Sequence, residues 1–295
     1  MCPNDPRFPR RTGKKGSHNM IKLLVDSASD CRNPSDLGSF YIPITLNIDG
    51  REYQDGIDID SDTFYRLLME TKCFPTTSQP SPQAFLELFE GVRDRGEELI
   101  YLALSSALSG TYQNACMARS MVGYDGIHII DTRAATHMIG ILAEYAAGLI
   151  REGHSAQEIV QQCEAVKSKI HLFAGLDTLE YLRRGGRLGR VSAAVGELAG
   201  IKPVITVMPE GDVASAGKCL GRGKAMQLLV EKLRSYPLDE RFPIWSLYTY
   251  GEENCQKLEE KMAAAGYPAA RRLQVGPTIG AHVGPGAYAV LFVEK

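Results

Sequence analysis

Residues 20–170 repeat one pattern, in which a short apolar run leads through a polar loop into a segment with helical spacing. Such apolar runs occupy 21–25, 99–104 and 127–130, and helical segments occupy 82–92, 115–121 and 136–150. Ser81-Pro82 predicts the start of the first of these helices, as a cap followed by proline at the first helical position. A further apolar run at 40–48 is followed by Asp49-Gly50, which predicts a hairpin turn. Strands that alternate with helices in this way form a mostly parallel sheet with helices on its faces. The sequence therefore predicts an N-terminal α/β domain over residues 20–175.

Residues 176–295 follow a different pattern. The segment Pro209-Glu210-Gly211-Asp212 separates two apolar runs and predicts a hairpin. A short helix is expected at 191–198. We expect an α+β domain with more antiparallel pairing, and a ligand site in the cleft between the two domains, where small-molecule sites are common.

Two polar loops stand out in the first half, at 74–82 and 105–114. Both are rich in hydroxyl and carboxamide side chains, lack Lys and Arg, and precede a predicted helix. The free N–H groups and the positive end of a helix dipole favour anions at such a position. The two loops therefore predict a site for a small anionic head group.

Composition excludes several classes of function. A net charge of -2 argues against a broad nucleic-acid surface. Seven scattered cysteines without a C-x-x-C pair give no signal for a metal site and are typical of a reducing cytoplasm. No apolar run reaches transmembrane length. Residues 1–19 are proline-rich and basic and are interpreted as an expression tag or a disordered segment, with a native basic arm as the alternative.

Two further segments leave alternatives open. The arginines and glycines of 183–190 fit either a solvated turn or a basic loop that meets a phosphate or an acidic partner. The glycine-rich segment 276–286 is expected to join two strands as a loop. Its only histidine, His282, stands among small residues, and the glycines allow its backbone to approach a ligand closely.

These motifs together resemble the DegV family. The resemblance is carried by I-K-L-L-V-D-S-A-S-D at 21–30, T-T-S-Q-P-S at 76–81, L-S-G-T-Y at 108–112, G-G-R-L-G at 185–189 and G-A-H-V-G-P-G at 280–286. It extends from Met20 to the end of the chain. Leu188 stands where the family pattern more often has isoleucine.

The resemblance implies a bacterial, cytoplasmic lipid-binding protein that holds one long-chain fatty acid between two domains. By this resemblance the carboxylate is bound by Thr77, Ser109 and His282. Supporting positions in the same loops are Thr76, Ser78, Gly110 and Gly280. Related proteins serve as the fatty-acid-binding subunit of a fatty acid kinase, so the resemblance also implies an ATP-dependent kinase subunit as partner, with Arg187 as the contact. It implies no catalytic residue, metal or cofactor beyond the bound fatty acid.

Three other functions compete with this hypothesis. A lipid carrier or store without a kinase partner has the same site. A hydrolase could use Ser109, but Ala107 and Thr111 replace the glycines of G-x-S-x-G. A kinase acting alone would need a nucleotide-binding motif, and no P-loop or protein-kinase motif is present. For the apolar wall of the lipid site, the helix at 136–150 is the first candidate.

Overall fold

A computed structural model describes residues 20–31, 39–189 and 200–295. The predictions for 1–19, for a helix at 191–198 and for Arg190 lie outside these ranges. The strands are β1 (Ile21–Asp26), β2 (Ser39–Ile42), β3 (Thr45–Ile48), β4 (Arg51–Gln54), β5 (Thr76–Ser78), β6 (Glu98–Ala103), β7 (Ile127–Asp131), β8 (Ile170–Gly175), β9 (Ile201–Val207), β10 (Val213–Leu220), β11 (Trp245–Tyr248), β12 (Arg271–Gln274) and β13 (Tyr288–Val293).

A short 3₁₀ helix, Ser27–Ser29, follows β1, and the α-helices are numbered in chain order. They are α1 (Ser61–Thr71), α2 (Pro82–Asp94), α3 (Thr111–Val122), α4 (His137–Glu152), α5 (Ala156–Lys167), α6 (Glu180–Arg184), α7 (Arg222–Arg234), α8 (Glu253–Ala264) and α9 (Pro277–Val283). Within the described ranges, no helix is long and apolar enough to cross a membrane.

The N-terminal half contains the predicted parallel sheet. Its strands run in the order β2-β1-β6-β7, and every neighbouring pair is parallel. Alternate side chains of β1 point to opposite faces, so that Leu24 packs with Phe85 and Phe89 of α2, whereas Leu23 and Val25 belong to the cluster that includes α4 and α5. The α/β fold class is confirmed.

Local sequence signals explain where several helices begin. Ser81 accepts a hydrogen bond from the N–H of Ala84 at 3.2 Å, and Pro82 takes the first helical position, as the sequence predicted for α2. Ser155 and Glu158 form a capping box at the start of α5. These caps fix the ends of helices whose apolar faces cover the sheet.

The apolar run at 40–48 forms two strands in different sheets. Pro43 lies between them and has no N–H to offer to a ladder, so pairing stops there. Beyond Pro43 the chain builds a small antiparallel sheet in the order β4-β3-β5. The hairpin predicted at Asp49-Gly50 is confirmed, with both residues at positive φ.

The C-terminal half is organised around a six-stranded sheet in the order β10-β9-β8-β13-β11-β12. All of its neighbouring pairs are antiparallel except β11 with β12. One face, with Phe173 and Phe292, packs against α7 and α8. The other face, with Leu172, Ala174 and Ala289, joins the large core shared with the N-terminal half.

The division into domains at residue 175 stays a prediction. By hydrogen bonding, the last strand before that residue lies in the C-terminal sheet, because β8 pairs with β9 and β13. The predicted turn at 209–212 also reaches across to the N-terminal half. There the hydroxyl of Ser105 donates to the carbonyl of Gly211 at 2.8 Å.

Candidate functional site

A cavity of about 140 Å³ lies between the inner face of the six-stranded sheet and the segments that follow β5, β6 and β7. Most of its wall is apolar. The sheet contributes residues at alternate positions, as expected for one face of a strand. The apolar residues of the sheet and its flanks that line the cavity include Leu172, Ala174, Leu176, Ile205, Val207, Val213, Leu247, Val275 and Ala289.

The helix at 136–150 contributes less to this wall than the sequence predicted. Ala135 and Thr136 line the cavity, but they precede α4, and no residue within α4 does. The reason is that the β8-β13 face, rather than the helix, lies opposite the carboxyl ends of the parallel strands. The helix instead packs against the N-terminal sheet with Ile139 and Leu142.

Four polar residues line one part of the cavity, which we call its polar end: Thr77, Ser109, Arg187 and His282. The Oγ1 of Thr77 and the Nε2 of His282 are hydrogen-bonded at 3.0 Å, although the two residues are 205 positions apart in the sequence. The three residues expected to bind a carboxylate and the one expected to meet a partner therefore line a single cavity.

Thr77 reaches the cavity because it lies in the middle of β5. Its strand pairs with β3, with Thr77 opposite Leu46. Side chains alternate along a strand, and Thr76 and Ser78 are exposed on the other side. Neither Thr76 nor Ser78 lines the cavity, so no direct contact with the cavity supports the role expected for them.

Ser109 lies in the loop between β6 and α3. Its hydroxyl bonds to the hydroxyl of Thr111 at 2.8 Å and accepts from the Thr111 N–H at 3.3 Å. The structure thus brings Ser109 to the same cavity as Thr77 and His282, while its hydrogen bonds hold the start of α3. It is one hydroxyl of a turn that opens a helix, as the sequence predicted.

The two polar loops contact each other. A side chain on Gly110 would overlap the amide of Gln79, so the absence of a Cβ permits this contact. The side chain of Asn114 donates to the carbonyl of Pro80 at 2.8 Å. The sequence reasoning named Gly110 but missed Gln79, which also lines the cavity.

The segment that carries His282 is a helix, so the predicted glycine-rich loop is wrong. Gly276 precedes α9 and Pro277 occupies its first helical position. This proline signal for a helix start was present in the sequence. Gly280 lies against Phe64 and Tyr65, where a side chain would not fit, so it contributes by close helix packing and not by contact with the cavity.

The imidazole of His282 is held in its neutral form. Burial, together with the positive charge of Arg187, lowers its pKa to about 4. Gly185 packs directly against the ring, and a side chain there would overlap Nδ1. Among the described residues, Nδ1 has no hydrogen-bond partner. A neutral imidazole with one bonded nitrogen can orient a ligand oxygen without adding a second positive charge.

Arg187 differs from the other described arginines of the 183–190 segment, Arg183 and Arg184, which lie at the end of α6. Its Nε donates to the carbonyl of Leu108 at 2.9 Å and its Nη1 to the carbonyl of Gly185 at 2.6 Å. Arg183 and Arg184 both pair with Glu180. Within the described part of the chain, Arg187 therefore brings a guanidinium to the polar end without a carboxylate beside it.

Comparison with known proteins identifies the family of this chain. The family model described as an uncharacterised protein of the DegV family matches residues 20–295. The chain belongs to the DegV family. A DegV domain-containing protein of Caldanaerobacter subterraneus subsp. tengcongensis is 38% identical over 283 residues, which cover 93% of this chain and 99% of the relative.

Solved structures of other proteins have the same fold. A fatty-acid-binding DegV family protein from Thermus thermophilus superposes with a TM-score of 0.84 at 30% identity, covering 94% of this chain and 100% of the other. A stearic-acid-binding protein from Eubacterium ventriosum superposes with a TM-score of 0.84 at 25% identity, covering 94% and 99%. The two-half arrangement described above is thus shared with a solved DegV family protein and with a solved stearic-acid-binding protein.

Proposed function

We propose that this DegV protein binds a single long-chain fatty acid and presents its carboxyl group to a separate ATP-dependent kinase subunit, without catalysis of its own. The observation that carries the proposal is a cavity with apolar walls that ends in Thr77, Ser109 and His282. The solved fatty-acid-binding proteins of the same fold support it.

The chemistry of the polar end suits a carboxylate that has to react. Hydroxyls and a neutral imidazole bind a carboxylate through single hydrogen bonds. A bidentate arginine clamp would occupy both oxygens. Here Arg187 uses two of its N–H groups on backbone carbonyls, which supports a role beside the head group rather than as such a clamp. One carboxylate oxygen can therefore stay free to attack a phosphate.

The acyl chain supplies most of the expected affinity. Each buried CH₂ contributes about 0.8 kcal/mol. A charge-assisted hydrogen bond at the head group adds about 1.5–3 kcal/mol. Beyond the first few carbons the apolar wall therefore dominates, and the polar end sets which way round the lipid binds.

Mass spectrometry of an organic extract of the purified protein tests the lipid part of the proposal. We expect a fatty acid in a one-to-one ratio with the chain. Failure to find any, together with no uptake of added fatty acids from C12 to C20, would overturn it.

The kinase part is tested by adding a bacterial fatty acid kinase subunit and ATP to the lipid-loaded protein. We expect acyl phosphate only when both are present, and we expect Arg187→Ala to reduce its formation at least tenfold while leaving bound lipid in place. Arg183→Ala is the matched control, because Arg183 already pairs with Glu180. If Arg187→Ala supported acyl phosphate formation at the wild-type rate, Arg187 would not be part of the partner contact. If the wild type formed no acyl phosphate, the protein would be a lipid carrier without a kinase partner.

Hydrolysis by Ser109 is the weaker candidate. A serine nucleophile needs a base within hydrogen-bond reach, and the described partner of the Ser109 hydroxyl is Thr111. The imidazole that shares the cavity, His282, is bonded to Thr77. A cytoplasmic location belongs to the proposal, supported by six free thiols in the described ranges and by the need for ATP.

A further inference from the structure

Asp55 is a buried carboxylate that the binding chemistry above does not use. Asp55 is 3% exposed and directly follows β4. One carboxylate oxygen, Oδ2, accepts two hydrogen bonds from Thr278, at 3.0 Å from the backbone N–H and at 2.5 Å from the hydroxyl. The partners are 223 positions apart in the sequence, so this contact joins two distant parts of the chain.

Asp55 is firmly part of the small sheet. Its N–H donates to the carbonyl of Ile44 at 3.1 Å, just before β3. The same sheet carries Thr77, because β3 pairs with β4 on one side and with β5 on the other. Asp55 and Thr77 are therefore held by one hydrogen-bonded unit.

Thr278 is equally part of the element that carries His282. Both residues lie in α9, four positions apart, which is about one helical turn. The N–H of Thr278 is among the first N–H groups of the helix, which have no partner within the helix itself. Asp55 supplies that partner, and its negative charge faces the positive end of the helix dipole.

A second hydroxyl completes the connection. The Ser27 hydroxyl is 3.0 Å from the Thr278 hydroxyl and accepts from the N–H of Ile44 at 3.0 Å. The start of α9 is thus bonded to the small sheet through Asp55 and to the end of β1 through Ser27. The other end of α9 meets the small sheet at the Thr77–His282 hydrogen bond.

We propose that Asp55 is a positioning residue of the polar end: it anchors the start of α9 to the β3–β5 sheet, and this anchor sets the distance at which His282 reaches Thr77. The effect on lipid affinity rests on the proposed function. The effect on His282 itself does not, because it concerns the protein without ligand.

The test is the rate at which diethyl pyrocarbonate modifies His282 at pH 7 in protein stripped of lipid, followed by mass spectrometry of the peptides. In the wild type the ring is shielded by Thr77 and Gly185. In Asp55→Asn we expect the modification rate of His282 to rise about tenfold relative to the modification rate of His154. His154 is the internal reference because it is partly exposed and takes no part in the Asp55–Thr278 contact. A rise common to all histidines would show general loosening and would overturn the proposal.

Thr278 provides the second pair of variants, which keeps the test decisive if Asp55→Asn fails to fold. Thr278→Val removes the hydroxyl and should raise the His282 rate, whereas Thr278→Ser keeps it and should restore the wild-type rate. Unchanged His282 reactivity in Thr278→Val and Asp55→Asn would refute the anchor.

Fatty-acid affinity is then measured on the same proteins. We expect a loss of about tenfold in Asp55→Asn, in proportion to the gain in reactivity at His282. If the wild type binds no fatty acid, the proposed function fails while the reactivity data still decide the role of Asp55. Normal affinity in a variant whose His282 has become reactive would overturn the link between the anchor and binding.

Discussion

Removal of one hydroxyl at the polar end should weaken lipid binding by a constant factor, whatever the length of the lipid. The change is Thr77→Val, which keeps the shape of the side chain and deletes the oxygen that bonds to His282 at 3.0 Å. That oxygen is also the one expected to bond to the fatty-acid carboxylate, and the loss of one such charge-assisted bond corresponds to about 1.5–3 kcal/mol. At about 1.4 kcal/mol per factor of ten, affinity should fall about 10- to 140-fold.

Chain length provides the internal check. Each added CH₂ that the cavity accepts should tighten binding by about 0.8 kcal/mol, or about fourfold. Because the head group and the distal wall contribute at separate places, the Thr77→Val loss should be the same for C14, C16 and C18 acids. A wall variant such as Ala289→Leu should instead show a loss that grows with chain length, since it shortens the space available to the tail.

The assay is displacement of a fluorescent fatty acid from stripped protein, repeated for each chain length. Thr76→Val is the matched control, since the neighbouring side chain is exposed and does not line the cavity. Equal affinities for Thr77→Val and Thr76→Val, or a Thr77→Val loss that changes with chain length, would refute the assignment of Thr77 to the head group.

Two further predictions concern His282. Burial lowers the pKa of His282 from an ordinary 6.5 to about 4. Between these two pH values the imidazole is protonated in the unfolded chain but stays neutral in the folded protein. His282 should therefore lower the free energy of unfolding as pH falls from about 6.5 to about 4, and urea titrations should show a smaller loss over this window in His282→Gln than in the wild type. Equal pH dependence would contradict the buried neutral ring. Gly185→Ala should lower lipid affinity at least tenfold because its methyl group would overlap the imidazole, whereas Gly223→Ala, whose methyl group meets open space, should bind as the wild type does.

The elements that the sequence predicted well are those set by neighbouring residues. The β1, β6 and β7 runs, the Ser81-Pro82 start of α2 and the Asp49-Gly50 turn depend on local apolar spacing, caps and turn geometry. The contact between the two polar loops agrees with the prediction that both serve one head-group site. Local signals were misread at α9, where Gly276 and Pro277 predict a helix start better than a loop.

The parts that sequence reasoning missed depend on contacts between distant residues. No local pattern singles out Asp55, because its partner Thr278 lies 223 positions away. The apolar helix at 136–150 was the first candidate for the cavity wall, yet most of that wall comes from a sheet whose faces are defined by the pairing of β8 with β13. Thr77, Ser109 and His282 were named through family resemblance, since no local pattern brings them together.

The wide spacing of the polar end along the chain has a consequence for folding. Thr77 and His282 meet only after both sheets have formed and α9 has docked, so no partly folded chain can offer the complete site. A ligand that binds the native state alone stabilises it by about 2.7 kcal/mol at a concentration of 100 times its Kd. A lipid bound there would act on both halves at once and couple their unfolding. The loaded protein should then melt in one transition at a higher temperature, with its two sheets lost together.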